Sequence, residues 1–470
     1  MTHHTAYNMP TVFVIFGITG DLARRKLLPA LFDLHRKGFL PSTFRVVGVA
    51  RSAHTDESFR AYVHSILAEK YGTESDTAAF TSCIHYQRGD FTDAQAYREI
   101  AQQLIAIDET IGQCTSKLFY LAIAPLHYES VLTNLAHSGL TIPCSSDVGW
   151  TRVLIEKPFG SNIATATELD ALLGRLFREE QIFRIDHYLA KETIQNILTF
   201  RFSNTLFEPT WNARYIERIE MTLSEDIDVG TRGAFYDGIG ALRDVGQNHM
   251  LQTIATLMMD HPGTLDAAAI RRERTAILER MAVRTPLAEN VIRAQYDGYR
   301  SVDGVAPDSQ TETFFRVTFE VDAQRWRGVP ITITSGKALS RKYTEVRVFF
   351  AEATPCFCAN AHKGHRHQNV ITFRIQPHEG IDMTFFAKKP GLAGDIGPRQ
   401  FSFDYRTTNH VSEPDAYEKV LFDCIRGDQT LFASTDEVMA TWRFVTPILE
   451  GWSALPLHTY APGSAPEEIS

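Results

Sequence analysis

The stretch Arg184-Ile185-Asp186-His187-Tyr188-Leu189-Ala190-Lys191 gathers a carboxylate, an imidazole, a phenol and an ammonium into one short segment. That set suits proton transfer beside an anion: an imidazole exchanges a proton near neutral pH, a carboxylate orients it, and a cation holds a negative group nearby. A helix read from Ala190 to Thr199 places His187 and Lys191 four apart on one face, next to the N–H groups its first turn leaves unpaired. Asp186 alone reads as an N-cap and Lys191 alone as a surface cation; the four together favour a site. Three further stretches carry related chemistry. Glu156-Lys157-Pro158-Phe159-Gly160 offers Lys157, and a cis Lys-Pro bond would turn it sharply. Asp244-Val245-Gly246-Gln247-Asn248-His249 opens a helix with apolar Leu251, Ile254, Leu257 and Met258. A lone histidine there reads as a core group unless a carboxylate orients it, and Asp186 and Asp244 are both available. Ser335-Gly336-Lys337-Ala338-Leu339-Ser340-Arg341-Lys342 follows a strand at Ile331 to Thr334 and places Lys337 and Lys342 after a glycine turn.

The elements that must position these groups begin with the apolar run from Thr11 to Phe16, a strand buried on both faces. Gly17-Ile18-Thr19-Gly20-Asp21-Leu22-Ala23 follows it and leads into a helix reaching about Lys37. Strand, glycine turn and helix let a backbone approach a pyrophosphate held at the helix N-terminus. The spacing is G-x-x-G-x-x-A rather than G-x-G-x-x-G, so a plain tight turn is the competing reading. The next strand, Phe44 to Val49, ends in Arg51 and Ser52, where an acidic residue would bind the 2′-hydroxyl of NAD. A guanidinium and a hydroxyl suit a 2′-phosphate, which points to NADP, with Arg24, Arg25 and Lys26 nearby. Lys117 to Ala124 and Arg152 to Ile155 are later strands, and the second delivers Lys157 to the same carboxyl edge.

Beyond Lys191 the hydrophobic period changes to strict alternation. Ile219, Met221 and Leu223, then Thr313 to Val321, Ile371 to Ile375 and Phe401 to Tyr405 read as half-buried strands of a large, mostly antiparallel sheet. The closing helices run from Pro414 to Arg426, with proline in the first turn, and from Ser434 to Leu449, with the capping box Ser434 and Glu437. The fold class is therefore an α/β Rossmann dinucleotide-binding domain followed by an α+β domain. The expected divisions are 10–185 for NADP, 186–455 for substrate binding and oligomerisation, and 456–470 as a flexible tail.

Composition excludes several classes. The 470 residues carry a net charge of −9 with both signs interspersed, which argues against nucleic-acid binding or a basic membrane patch. No secretory signal and no spanning apolar run is present, so a cytoplasmic location is expected. Six cysteines in so long a chain read as reduced thiols. Cys356, Cys358, His362, His365 and His367 have poor metal-ligand spacing and read as a surface loop, so no metal is expected.

Taken in order and interval, these motifs make the chain similar to the glucose-6-phosphate 1-dehydrogenase family from about Val12 to Trp452. The resemblance rests on the Gly17 to Ala23 turn, Glu156 to Gly160, Arg184 to Lys191, Arg243 to His249 and Gly336 to Leu339. It implies oxidation of D-glucose 6-phosphate at C1 to the 1,5-lactone with NADP, the first step of the oxidative pentose phosphate pathway. By that resemblance His249 is the general base and Asp186 its orienting carboxylate. His187, Tyr188, Lys191 and Lys342 match phosphate-binding positions, while Lys157, Glu225, Asp244 and Lys337 match positions that hold the sugar. Gly17, Thr19, Gly20, Asp21, Leu22, Arg51, Ser52 and Lys157 fall at the cofactor. Asp382 and Thr384 stand where animal members have a tyrosine and a lysine for a second, structural NADP, so that site is not expected. Members pair through the large sheet, which implies a homodimer or homotetramer. Two other readings are the Gfo/Idh/MocA sugar dehydrogenases, which share Glu-Lys-Pro but not the Arg184 to Leu189 stretch, and a non-catalytic cofactor-binding relative.

Overall fold

The computed structural model describes residues 9–72, 77–145, 149–352, 367–390, 396–405 and 414–470. Six strands open the chain: β1 (Thr11–Phe16), β2 (Phe44–Ala50), β3 (Ile84–Arg88), β4 (Ser116–Leu121), β5 (Thr151–Ile155) and β6 (Ile182–Ile185). They lie parallel in the order β6-β5-β4-β1-β2-β3. Every residue of β1 is buried, because helices cover both faces of a parallel sheet and each side chain must be apolar or paired. The order reverses beside β1, which opens a ligand crevice at the carboxyl ends of β1 and β4.

The second sheet contains β7 (Ile216–Ser224), β8 (Met281–Val283), β9 (Val291–Tyr296), β10 (Phe314–Val321), β11 (Ile331–Gly336), β12 (Tyr343–Phe350), β13 (Val370–Gln376), β14 (Gly380–Lys388) and β15 (Ile396–Asp404). Two later strands are β16 (Phe432–Ala433), which joins the first sheet beside β6, and β17 (Leu457–Tyr460), which joins the second beside β9. The second sheet runs β15-β14-β13-β12-β7-β11-β10-β9-β17, with β8 on β10. Only β7–β11 and β9–β17 pair parallel among its described strands. Helices Glu192–Phe202 and Leu251–Met258 pack their apolar faces on one side of it, so one hydrophobic core runs from β1 through both helices to β7 and β13.

Several expectations are corrected. The helix after Lys191 is Glu192–Phe202, not Ala190–Thr199, and Lys191 is its N-cap. Asp186 captures the chain first: its Oδ1 accepts the Tyr188 N–H at 3.0 Å and its carbonyl accepts the Leu189 N–H at 3.1 Å. This local side-chain bond competes with helix, so His187 stands in a turn and does not share a helical face with Lys191. Residues 456–470 are no free tail, since β17 pairs along β9 from Leu457↔Arg293 to Tyr460↔Tyr296. Cys114 and Cys144 form a disulfide, whereas Cys83 and Cys424 are free as expected. The helix near Pro414 begins at Ala416 with Asp415 as N-cap. On β15 Phe401 is 60% exposed, so that edge strand is not half-buried as its alternation suggests. Cys356, Cys358, His362 and His365 lie outside the described residues. Among the described residues no helix is long and apolar enough to cross a membrane.

Candidate active site

The nine residues Leu242–Met250 form a π-helix that continues into helix Leu251–Met258. Such widened turns concentrate at functional sites, because they rotate successive side chains out of ordinary helical register. This one presents Asp244 and His249 toward the seam between the two sheets, where β6 delivers Asp186. His249 Nδ1 lies 2.5 Å from Asp186 Oδ1, with exposures of 1% and 3%. The contact fixes the Nδ1–H tautomer and leaves Nε2 as the acceptor, and Nε2 has no hydrogen-bond partner among the described residues. The Tyr188 ring stacks on His249 at 4.4 Å, and His187 meets it edge-on at 4.6 Å.

Burial lowers the pKa of His249, opposed by the neighbouring Asp186 anion. Burial would raise Asp186, but the charge and hydrogen bond of His249 outweigh it and hold the carboxyl at about 2. At neutral pH the pair is therefore an ionised carboxylate beside a neutral imidazole, which is the state a general base requires. Half-buried His187 is lowered well below the ordinary histidine range by burial, reinforced by the positive charges around it.

A chain of charges runs beside the pair. Lys157 Nζ donates to the Asp244 carbonyl at 2.8 Å and lies 3.3 Å from Asp244 Oδ1. Lys337 Nζ meets Glu225 Oε2 at 2.5 Å and stands 3.9 Å from Asp244 Oδ2. Burial pushes Asp244 up, and Lys157 with Lys337 more than reverses it. The Lys157–Pro158 bond is cis. Thus four residues from β5, β7, β11 and the π-helix, far apart in sequence, meet as alternating cations and anions that hydroxyl groups can bridge.

A cleft of about 850 Å³ is lined by His187, Lys191 and Lys342 together with Asp21 and Leu22 of the glycine turn, and not by His249, Lys157, Asp244, Lys337 or Glu225. Neither Lys191 nor Lys342 forms an ion pair among the described residues, so both remain available to an anion. Tyr188 is the exception among the expected phosphate ligands: it is buried against His249 and does not line this cleft. Tyr417 lines the cleft and lies parallel to His187 at 6.4 Å, yet nothing in its sequence context marked it. Glu156 accepts from the Tyr120 hydroxyl at 2.5 Å, a contact its sequence context did not mark. Burial pushes its carboxyl up to about 6.

The glycine turn packs as the sequence requires. Gly17 has φ +81°, and a Cβ there would meet the Ala122 carbonyl oxygen at 2.3 Å. The helical segment opening at Asp21 leaves first-turn N–H groups at the carboxyl edge of β1, suited to phosphate oxygens. Thr19 Oγ1 and Ser52 Oγ come within 3.5 Å, and Arg51 is exposed beside them at the end of β2. This donor set fits a dinucleotide with its phosphates across the β1 and β2 edges.

A parallel dinucleotide-binding sheet, a large second sheet and a buried imidazole–carboxylate pair at their seam define a two-domain nicotinamide-dependent oxidoreductase. Residues 14–196 match the profile "Glucose-6-phosphate dehydrogenase, NAD binding domain", and residues 198–469 match "Glucose-6-phosphate dehydrogenase, C-terminal domain". The chain belongs to the glucose-6-phosphate dehydrogenase family. It is 38% identical over 458 residues to glucose-6-phosphate 1-dehydrogenase 2 of Mycobacterium tuberculosis, covering 95% of this chain and 89% of that protein. It is 38% identical over 455 residues to the glucose-6-phosphate 1-dehydrogenase of Bacillus subtilis, covering 94% and 92%. A solved glucose-6-phosphate dehydrogenase in complex with its substrate glucose-6-phosphate superposes with a TM-score of 0.90 at 32% identity, covering 98% of this chain and 96% of that one. Levoglucosan dehydrogenase in complex with NADH, with a TM-score of 0.53 at 10% identity over 95% and 97% of the two chains, shares the fold alone.

Proposed function

We propose that this chain oxidises D-glucose 6-phosphate at C1 to 6-phospho-D-glucono-1,5-lactone with NADP. The observation that carries the reading is the buried His249–Asp186 pair, which meets the cleft through His187, edge-on to His249 at 4.6 Å and itself part of the cleft wall with Lys191 and Lys342. His249 Nε2 takes the C1 hydroxyl proton as the C1–H bond breaks, and Asp186 stabilises the imidazolium that forms. When bound, the nicotinamide ring accepts the hydride from C1. Lys191, Lys342 and His187 hold the phosphate, with Tyr188 acting from beneath by packing on His249. Lys157, Asp244, Lys337 and Glu225 hold the sugar hydroxyls. Phosphate binding remote from C1 fixes the reacting carbon, so its binding energy contributes to turnover as well as to affinity.

The preference for NADP over NAD is supported by Arg51 and Ser52, which follow β2 and offer a guanidinium and a hydroxyl to a 2′-phosphate. The functional unit is a homodimer or homotetramer joined through the large sheet. Phe401, 60% exposed and stacked on Phe385 at the β15 edge, supports that surface as the contact. The test is reduced-nicotinamide absorbance with purified protein, glucose 6-phosphate and either NADP or NAD. Rapid NADP-dependent reduction with little signal from glucose is expected. Folded protein inactive with both cofactors would favour a binding role instead.

A further inference from the structure

The turn that carries Lys337 is bonded on every side. Ala338 holds φ +51°, a left-handed conformation that a residue with a Cβ adopts only where its surroundings impose it. On one side, Ala338 N–H donates to the Ile227 carbonyl and Leu339 N–H to the Glu225 carbonyl, both at 2.9 Å. On the other side stands the C-terminal segment. The Tyr460 hydroxyl donates to the Lys337 carbonyl at 2.7 Å, Gly463 N–H to the Ala338 carbonyl at 2.7 Å, and Ser340 N–H to the Ser464 carbonyl at 3.0 Å.

Tyr460 is the hub of this clasp. It is 5% exposed, and its oxygen also lies 2.9 Å from Thr313 Oγ1. Thr313 in turn accepts the Lys337 N–H at 3.0 Å through its carbonyl. A single hydroxyl thus serves both backbone groups of Lys337, its carbonyl directly and its N–H by way of Thr313. Tyr460 and Ile469 complete a small separate core with Tyr236, Phe314, Ala338 and Leu339. Within it the Tyr236 ring lies 5.3 Å from Lys337 Nζ and flanks one side of the ammonium.

We infer that Tyr460 is a positioning residue for the substrate: through the Lys337 carbonyl it sets Lys337 against Glu225 and Asp244, making the C-terminal strand a working part of the site. The inference rests on the proposed function, in which Lys337 holds the sugar. It predicts that the hydroxyl acts only by way of Lys337.

The experiment is a double-mutant cycle on the full chain, with kcat/KM for glucose 6-phosphate measured for the parent, Tyr460→Phe, Lys337→Ala and the pair. The phenyl ring preserves the small core. Loss of one buried hydrogen bond should lower kcat/KM about five- to twentyfold, with KM for NADP unchanged. In the Lys337→Ala background the same substitution should cost less than about twofold. A merely structural role would lower both backgrounds by equal factors and overturn the inference, as would a Tyr460→Phe enzyme with parental kcat/KM. If Tyr460→Phe fails to fold, Arg316→Met takes its place in the same cycle, because Arg316 ties down the segment's end through the Ile469 and Pro466 carbonyls at 3.0 and 2.5 Å. An inactive parent would overturn the reaction itself, and this inference with it.

Discussion

Asp186→Asn isolates the charge of the carboxylate from its shape. The asparagine oxygen can still accept the Tyr188 N–H, so the turn that places His187 is preserved. What changes is the partner of His249 Nδ1, now 2.5 Å from an anion. Two routes bound the loss. A hydrogen bond to a charged group contributes about 1.5–3 kcal/mol. The attraction between a carboxylate and an imidazolium whose charge centres lie about 4 Å apart is about 4 kcal/mol at an effective dielectric near 20. The interaction forms fully only as His249 takes the proton, so it is lost from the transition state rather than from substrate binding. kcat should therefore fall about 10- to 10³-fold with KM for glucose 6-phosphate little changed. A second signature lies in the pH profile. Activity requires neutral His249 and rises as the imidazole loses its proton, at a pH below the ordinary histidine value because burial lowers it. Asp186 opposes that lowering, so its neutralisation should move the rising limb to still lower pH. Initial rates from reduced-nicotinamide absorbance across pH 5 to 9 measure both quantities, in ~1-unit steps. A variant with kcat within threefold of the parent, or with an unmoved limb, would refute the assignment of this pair.

Other perturbations reach the remaining parts of the site. Arg51→Ala should lower kcat/KM for NADP about 10- to 100-fold and leave NAD nearly unaffected; equal loss with both cofactors would move the 2′-phosphate contact elsewhere. Lys191→Ala should raise KM for glucose 6-phosphate about tenfold or more without harming the slow reaction of free glucose, because only the phosphate meets that ammonium. Glu312 is buried, accepts the Leu242 N–H at 2.9 Å at the start of the π-helix, and is pushed up by burial to about 7. A carboxyl with a raised folded pKa binds more protons than the unfolded chain, so its penalty is absent below the unfolded value and complete above about 7. Glu312→Gln should thus leave thermal stability unchanged near pH 4 and raise it at pH 8 by ~1–3 kcal/mol; equal midpoints at pH 8 would count against the buried charge.

How much was legible depended on whether a contact is local or distant. β1 was plain because six buried residues followed by Gly17 admit few alternatives, and the tight turn at Gly17 leaves no room for a Cβ against the Ala122 oxygen. His249 and Asp186 could be listed as candidates, but they lie 63 residues apart and only the fold brings them to 2.5 Å. The Asp186 to Lys191 turn was misread because apolar spacing favours helix there, while one Asp186 oxygen accepting the Tyr188 N–H decides otherwise. Cys114 and Cys144, 30 residues apart, have no spacing signal at all.

The C-terminal segment was the largest miss, and its cause is physical. Leu457-His458-Thr459-Tyr460 is too short and too polar to carry a period, and β17 is an edge strand whose partner β9 lies far back in the chain. Its contacts with the Lys337 turn run through backbone groups, which sequence patterns do not record: the Lys337 carbonyl and the Gly463 N–H are present whatever side chains flank them. A site residue such as Lys337 can be recognised by its type, whereas the group that aims it can be any chain segment able to reach a carbonyl. The residues proposed to touch substrate are therefore the readable part of this candidate site, and the strands that hold them at their observed distances emerge only once the two sheets are assembled around the seam.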